Sequence, residues 1–244
     1  MYLMYADEAD HDRDEKNRFF IYGSVFIASK HASDLHLGIE RIREENGFNP
    51  NGDLKFASRT KPKSISSELH ALAKSEVLHL AAKHDVKFCG YAILHDIAKN
   101  KTSDELIEMG ASTMIQKFDQ FLRENENSPG LANFDRLPTG NPFGFIQEKF
   151  GAQRVGGKRH NGIENIVGLS LTCNGASNFS SLADIVVGSF RYCINEPERN
   201  IAGTAILQKL RPLFWTDTSE GKKNASDRGL VLRPAEVKIS KYAV

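Results

Sequence analysis

Two apolar runs near the start of the chain constrain the fold most. Residues 1–6 (MYLMYA) and 19–28 (FFIYGSVFIA) are rich in aromatic and β-branched side chains and predict strands. Only a charged connection from Asp10 to Arg18 lies between them, so the simplest pairing is an antiparallel hairpin. Leu35, Ile39 and Ile42 give residues 33–45 a helical period. In residues 67–84, Leu69, Leu72, Ala73, Val77, Leu80 and Ala81 form one amphipathic face. Residues 86–94 (VKFCGYAIL) read as a buried strand. Thr102-Ser-Asp-Glu105 is a capping box opening a helix that turns Ile107, Ala111, Met114, Phe118 and Phe121 inward.

Beyond a polar break at 125–130, a short apolar run ends in Phe134-Asp135, and residues 143–150 suit a short helix. The glycine-rich basic stretch 151–162 is expected to be a mobile loop, followed by a strand over 163–172. Residues 179–194 predict a packed helix, with a strand as the alternative because of their β-branched content. A helix at 203–214, a polar linker at 216–228 and a terminal strand near 229–239 complete the order. A hairpin followed by alternating helices and strands implies an α/β mixed sheet flanked by helices. At 244 residues, the expectation is one domain over 1–244 with inserted helices and a C-terminal extension.

Composition narrows the function classes. Hydrophobic residues make up 40% and charged residues 26%, ordinary values for a globular chain. With 32 Lys and Arg against 31 Asp and Glu, any nucleic-acid surface has to be a local patch. No run of eighteen apolar residues exists, and the N-terminus turns acidic after six residues. The expectation is therefore no membrane span, no signal peptide and a cytoplasmic setting. Cys89, Cys173 and Cys193 lie far apart in apolar runs without a CxxC pair, which argues against a zinc knuckle or disulfide framework.

The acidic residues carry the chemistry. Asp7 and Glu8 end an apolar strand, Asp135 ends another, and Asp184 sits inside the apolar helix FSSLADIVVGSF. A carboxylate in such surroundings has a high desolvation cost unless it is paired or coordinates a metal. Taken singly, each is also explained by capping, a salt bridge or exposure at a strand end. On a helix, Ser181, Asp184, Gly188 and Arg191 fall on one stripe opposite Leu182, Val186 and Phe190, so Asp184 can look out of the core into a cleft. Carboxylates gathered from separate segments suit Mg²⁺ or Mn²⁺, which take a few carboxylate oxygens and support phosphoryl transfer.

Tyr5-Ala-Asp7-Glu8-Ala-Asp10 with Phe20-Ile-Tyr-Gly23-Ser-Val-Phe-Ile27 resembles the opening Y-x-D-E-S-G-D and glycine-containing second strand of a bacterial family catalogued as domain of unknown function 3800. Ser181-Leu-Ala-Asp184-Ile-Val-Val-Gly188-Ser189 is similar to its L-A-D-x-x-A-G-A helix. Asp53-Leu54-Lys55-Phe56-Ala57-Ser58 is similar to an E-x-K-x-S element, and Asn133-Phe134-Asp135 lies where a strand-ending aspartate belongs. The resemblance covers roughly 3–195 and rests mainly on its two ends. It implies an RNase H-like fold and a metal-binding site in which Asp7 is the bridging carboxylate. Asp53, Asp135 and Asp184 complete that site, and Lys55 orients a carboxylate or contacts phosphate. Here Asp53 stands for a longer glutamate, and Ala9 and Asp10 for serine and glycine.

The resulting expectation is a Mg²⁺- or Mn²⁺-dependent phosphodiesterase acting on RNA or DNA. Asp7, Asp135 and Asp184 hold metal, Asp53 or Glu8 adds an oxygen, and Lys55 assists. Arg154, Lys158, Arg159 and Arg191 meet the nucleic-acid backbone. The alternative is a non-catalytic RNase H-like module that binds nucleic acid or a protein partner, within a bacterial defence or mobile-element system. A phosphoesterase acting on a small nucleotide needs a closed pocket instead of a long basic groove. Gly151, Gly156, Gly157 and Lys158 miss the spacing of a phosphate-binding loop. Phe214 and Trp215 fit packing better than base stacking, and His70 and His79 are too far apart along one helix to share a metal.

Overall fold

The computed structural model describes residues 1–9, 18–49, 54–150, 154–155, 158–159, 163–172, 177–195, 200–217 and 225–234. Its elements in chain order are β1 (Tyr2–Ala9), β2 (Phe19–Ala28), α1 (Ala32–Glu45), α2 (Ser67–Lys83), β3 (Lys87–Leu94), α3 (Ser103–Glu124) and β4 (Gly130–Phe134). Then follow α4 (Pro142–Phe150), β5 (Arg154–Val155), β6 (Lys158–Arg159), β7 (Ile166–Leu171), α5 (Asn178–Asn195), α6 (Asn200–Leu210) and β8 (Leu230–Arg233). Six strands form one mixed sheet in the order β7-β4-β1-β2-β3-β8. The expected hairpin is its centre: β2 runs antiparallel to both β1 and β3, and β4, β7 and β8 add parallel to their neighbours.

Strand periodicity explains why β2 lies in the middle. Phe19, Ile21, Val25 and Ile27 enter one apolar cluster, with side chains of α1, α2, α5 and α6. Phe20, Tyr22 and Phe26 enter the other, with α3 and Phe145 of α4. Successive side chains of a strand point to opposite faces, so a ten-residue run without a solvent face needs helices on both sides. Two small polar fixtures hold the layers in place. Asn195, at the end of α5, accepts from the Phe19 N–H and donates to its carbonyl, both at 3.0 Å. Asp119 of α3 accepts from the Glu164 and Asn165 N–H groups at 3.0 and 2.9 Å, which fixes the approach to β7.

Several boundaries differ from the sequence reading, each for a physical reason. β1 continues to Ala9 because Asp7, Glu8 and Ala9 keep their ladder partners Gly23, Tyr22 and Ile21. The acids therefore lie within the strand. The buried face of α2 is His70, Ala73, Val77, Leu78 and Ala81, while Leu69 and Leu72 are exposed. His70 turns inward because its Nε2 meets the Lys55 carbonyl at 2.8 Å. The stretch 151–162, expected to be a mobile loop, contains a minimal hairpin, with Arg154 opposite Arg159 and Val155 opposite Lys158. Its sequence has Gly-Gly between the two pairs, a combination favoured by two-residue hairpins.

The segment 179–194 is helical throughout. Phe214 and Trp215 are buried in the two apolar clusters, as packing residues. Cys89 and Cys193 are buried free thiols, each pushed up to about 12 by burial; Cys173 lies outside the described residues. Among the described residues, no helix is long and apolar enough to cross a membrane.

Candidate acidic site

Register brings the first two aspartates together. β1 and β4 run parallel with Ala6 opposite Phe134, and the Asp135 N–H donates to the Ala6 carbonyl at 3.0 Å. Asp7 and Asp135 are therefore the next residues along two neighbouring strands and face the same side. That side is the one covered by α5, against which Leu3, Tyr5 and Ala9 pack.

A glycine lets the helix close over them. Gly23 is the ladder partner of Asp7, and a Cβ there would lie 2.8 Å from Val187 Cγ2 and 2.9 Å from Phe88 Cε2. α5 thus settles directly on the β2 backbone at this point. Asp184, one turn before Val187, arrives beside Asp7. Asp184 is fixed in turn by the Phe56 N–H, which donates to its Oδ2 at 2.5 Å. Phe56 packs on Gly188, where a Cβ would come within 2.4 Å of its ring. The space beside Asp184 is consequently filled by Phe56, where the sequence suggested an open cleft.

α2 anchors the same segment from its other side. His70 contacts the Lys55 carbonyl, and Lys74 Nζ donates to the Phe56 carbonyl at 3.0 Å while lying 4.4 Å from the Phe56 ring centre. His70 and Lys74 are four residues apart, one helical turn, and so reach the same strip of backbone. Neither was singled out from sequence as a site residue; their spacing on a helix following Lys55-Phe56 is the signal that could have found them.

The electrostatics are those of crowded carboxylates. Asp7 is held well above the usual carboxylate range by burial first, then by the negative charges of Asp184, Glu8 and Asp135; the Glu8 N–H, 2.9 Å from Asp7 Oδ1, opposes this. Asp184 is raised by burial and by Asp135, and pulled back by the Phe56 N–H, Lys55 and Lys74. Asp135 is raised by burial, with Lys55 offsetting it. Lys55 is therefore the cation that faces both Asp135 and Asp184. Burial lowers Lys74, and Asp184 opposes that shift.

Glu8 belongs to the opposite face. Its strand neighbour across the ladder is Tyr22, and its Oε1 lies 3.6 Å from Arg136 Nη1. Tyr22 donates its hydroxyl to the Arg136 carbonyl at 2.9 Å, and burial together with Glu8, Asp7 and Asp135 holds that phenol well above its ordinary range. Strand alternation thus separates Glu8 from the Asp7 array, although the two are adjacent in sequence. Tyr22 and Arg136 are further neighbours that the sequence did not single out.

The remaining predicted residues divide by position. Asp53 lies outside the described residues. Arg191 lines a cavity of about 490 Å³ between α2, α5 and α6, with Phe56 on its wall. Arg154, Lys158 and Arg159 form the small hairpin, in a sheet separate from the six-stranded one.

A hard divalent cation fits the array in donor type and charge: it offers carboxylate oxygens, no sulfur, and excess negative charge that a cation would relieve. Among the described residues, Asp135 Oδ1 is buried without a hydrogen-bond partner, a costly arrangement unless something else meets it. Among the described residues, no three acidic, histidine or cysteine side chains are already drawn around one cation position. No family model, curated protein or solved structure matches the chain.

Proposed function

We propose that the protein is an RNase H-like, divalent-metal-dependent nuclease that hydrolyses phosphodiester bonds in RNA or DNA. The observation that carries this reading is the meeting of Asp7, Asp135 and Asp184. They come from positions far apart in the chain, yet they meet on one face of the sheet, where Asp184 and Asp135 raise the proton affinity of Asp7 and Asp135 raises that of Asp184. Structural carboxylates are ordinarily dispersed or matched by cations; crowded ones mark sites that bind metal or move protons. The central N-terminal hairpin, with helices on both faces, supports the RNase H-like reading.

Asp7, Asp135 and Asp184 would hold Mg²⁺ or Mn²⁺. Such ions supply Lewis-acid stabilisation of a phosphoryl oxygen and activation of water for in-line attack. Lys55, facing Asp135 and Asp184, keeps these carboxylates oriented and offers a positive charge to a phosphate entering between them. Phe56 packs on α5 beside the array and holds the Asp184 carboxylate through its N–H. Glu8, paired with Arg136 on the far face, steadies the end of β1 and lies apart from the reacting groups.

The test incubates purified protein with Mg²⁺ or Mn²⁺ and labelled single-stranded RNA, single-stranded DNA, both duplexes and the hybrid. Asp7→Asn, Asp184→Asn and EDTA run alongside. Loss of cleavage by about 100-fold or more in both variants and in chelator is the expected result. Cleavage indifferent to Asp7→Asn and EDTA overturns it. Binding without any cleavage would transfer the assignment to the non-catalytic module.

A further inference from the structure

The cavity bordered by α2, α5 and α6 differs in charge from two other hollows of the molecule. Among the described residues, its wall carries Lys74, Arg191 and Lys209 and no carboxylate, in a chain whose positive and negative residues otherwise balance. A second hollow sets Lys101 and Arg233 against Glu105 and Glu108, with Lys101 and Glu105 paired at 2.8 Å. A third is lined by Asp104, Glu108 and Glu148 and, among the described residues, carries no lysine or arginine.

Small residues create the space: Ala57, Ser58, Ala71, Ser75 and Ser189 stand where larger side chains would fill it. At about 490 Å³ it lies within the size range of small-molecule sites. Two of its cations rest on neutral oxygens: Lys74 donates to the Phe56 carbonyl and Lys209 to the Ser75 hydroxyl. Phe56 and Tyr192, with ring centres 6.4 Å apart and planes inclined by 58°, form an angled aromatic wall. That angle leaves no slot between the rings, so a base would lie against one ring and not between the two.

We propose that this cavity is a subsite for one unpaired nucleotide of the substrate strand. Its phosphate is received by Lys74, Arg191 and Lys209, and its base lies against Phe56 or Tyr192. As a substrate subsite it rests on the nuclease reading. Phe56 joins the two places, because its N–H serves Asp184 while its ring forms the cavity wall. A nucleotide seated there would deliver the adjoining phosphodiester toward the acidic array. Its base would have to be out of a duplex, so single-stranded ends or loops are the favoured substrates.

The test is direct binding to the full chain, in EDTA, of adenosine 5′-monophosphate, adenosine and inorganic phosphate by calorimetry. The expected result is that the monophosphate binds at about 1 mM or tighter and the other two at least about tenfold more weakly. Lys209→Glu should weaken monophosphate binding about tenfold or more with an unchanged melting temperature. Lys209→Arg should retain it within about threefold, and Asp7→Asn should leave it unchanged. Absence of binding, binding indifferent to Lys209→Glu, or adenosine binding as tightly as its monophosphate overturns the subsite. Monophosphate binding in a protein without nuclease activity would refute the nuclease while keeping the cavity as a nucleotide site. Metal-dependent cleavage without monophosphate binding would do the reverse.

Discussion

Asp7 is the residue in which the cost of the site is concentrated, since burial and three neighbouring carboxylates all oppose its ionisation. Its folded proton affinity is above the unfolded one, so between the two values the native chain binds more protons than the unfolded chain. Stability therefore falls as pH rises from about 4, the ordinary carboxylate value, through the higher folded value. Asp7→Asn removes that charge but keeps an oxygen for the Glu8 N–H. In chelator at neutral pH the variant should melt at a higher temperature than the parent, and the difference should shrink as pH falls toward 4. Mg²⁺ or Mn²⁺ should narrow or invert the order, because only the parent's native state gains a tightly held ion. Melting curves at several pH values, with and without metal, check this; a less stable Asp7→Asn in chelator would contradict the crowding described for Asp7.

At the scale of elements, α5 does two separable jobs. Its last residue, Asn195, locks the first residue of β2, whereas its middle carries Asp184 and the Phe56 contact. Asn195→Ala leaves the Phe19 backbone groups unserved and should cost about 1–3 kcal/mol in chemical denaturation. Cleavage by the folded fraction should be retained. Gly188→Ala places a methyl within 2.4 Å of the Phe56 ring. Overpacking there should cost about 1–3 kcal/mol and displace residues 54–57. Cleavage should fall more than about tenfold, because Lys55 and the Phe56 N–H both leave the carboxylates. If Gly188→Ala cleaves like the parent, the placement of Lys55 and Phe56 has no part in the reaction.

At the scale of the whole molecule, balanced charge means that nucleic acid must be attracted by local groups. Each neutralised phosphate contributes about 0.9 to the salt dependence of duplex binding. If the hairpin basic residues contact the backbone, replacing Arg154, Lys158 and Arg159 together with glutamine should flatten the plot of log affinity against log salt by up to about 3. An unchanged slope would assign binding to other surfaces, the Lys74–Arg191–Lys209 cavity first.

Much of the scaffold was legible in the chain itself. The FFIYGSVFIA run forced a strand covered on both faces, the Thr102–Glu105 box opened α3, and the apolar period of 179–194 made α5 a helix, because these signals are local and repeat every two or 3.6 residues. Asp7, Asp135 and Asp184 stood out as acids in apolar surroundings. Strand register and the closeness of α5 to Gly23 were required to bring them side by side. Tertiary structure alone decided that Glu8 turns away to Arg136, that His70 and Lys74 pin the Lys55-Phe56 segment, and that small residues from α2, α5 and the 57–58 segment leave a cationic hollow. Each of these depends on which distant elements pack together, and hydrophobic periodicity along a chain carries no record of that pairing.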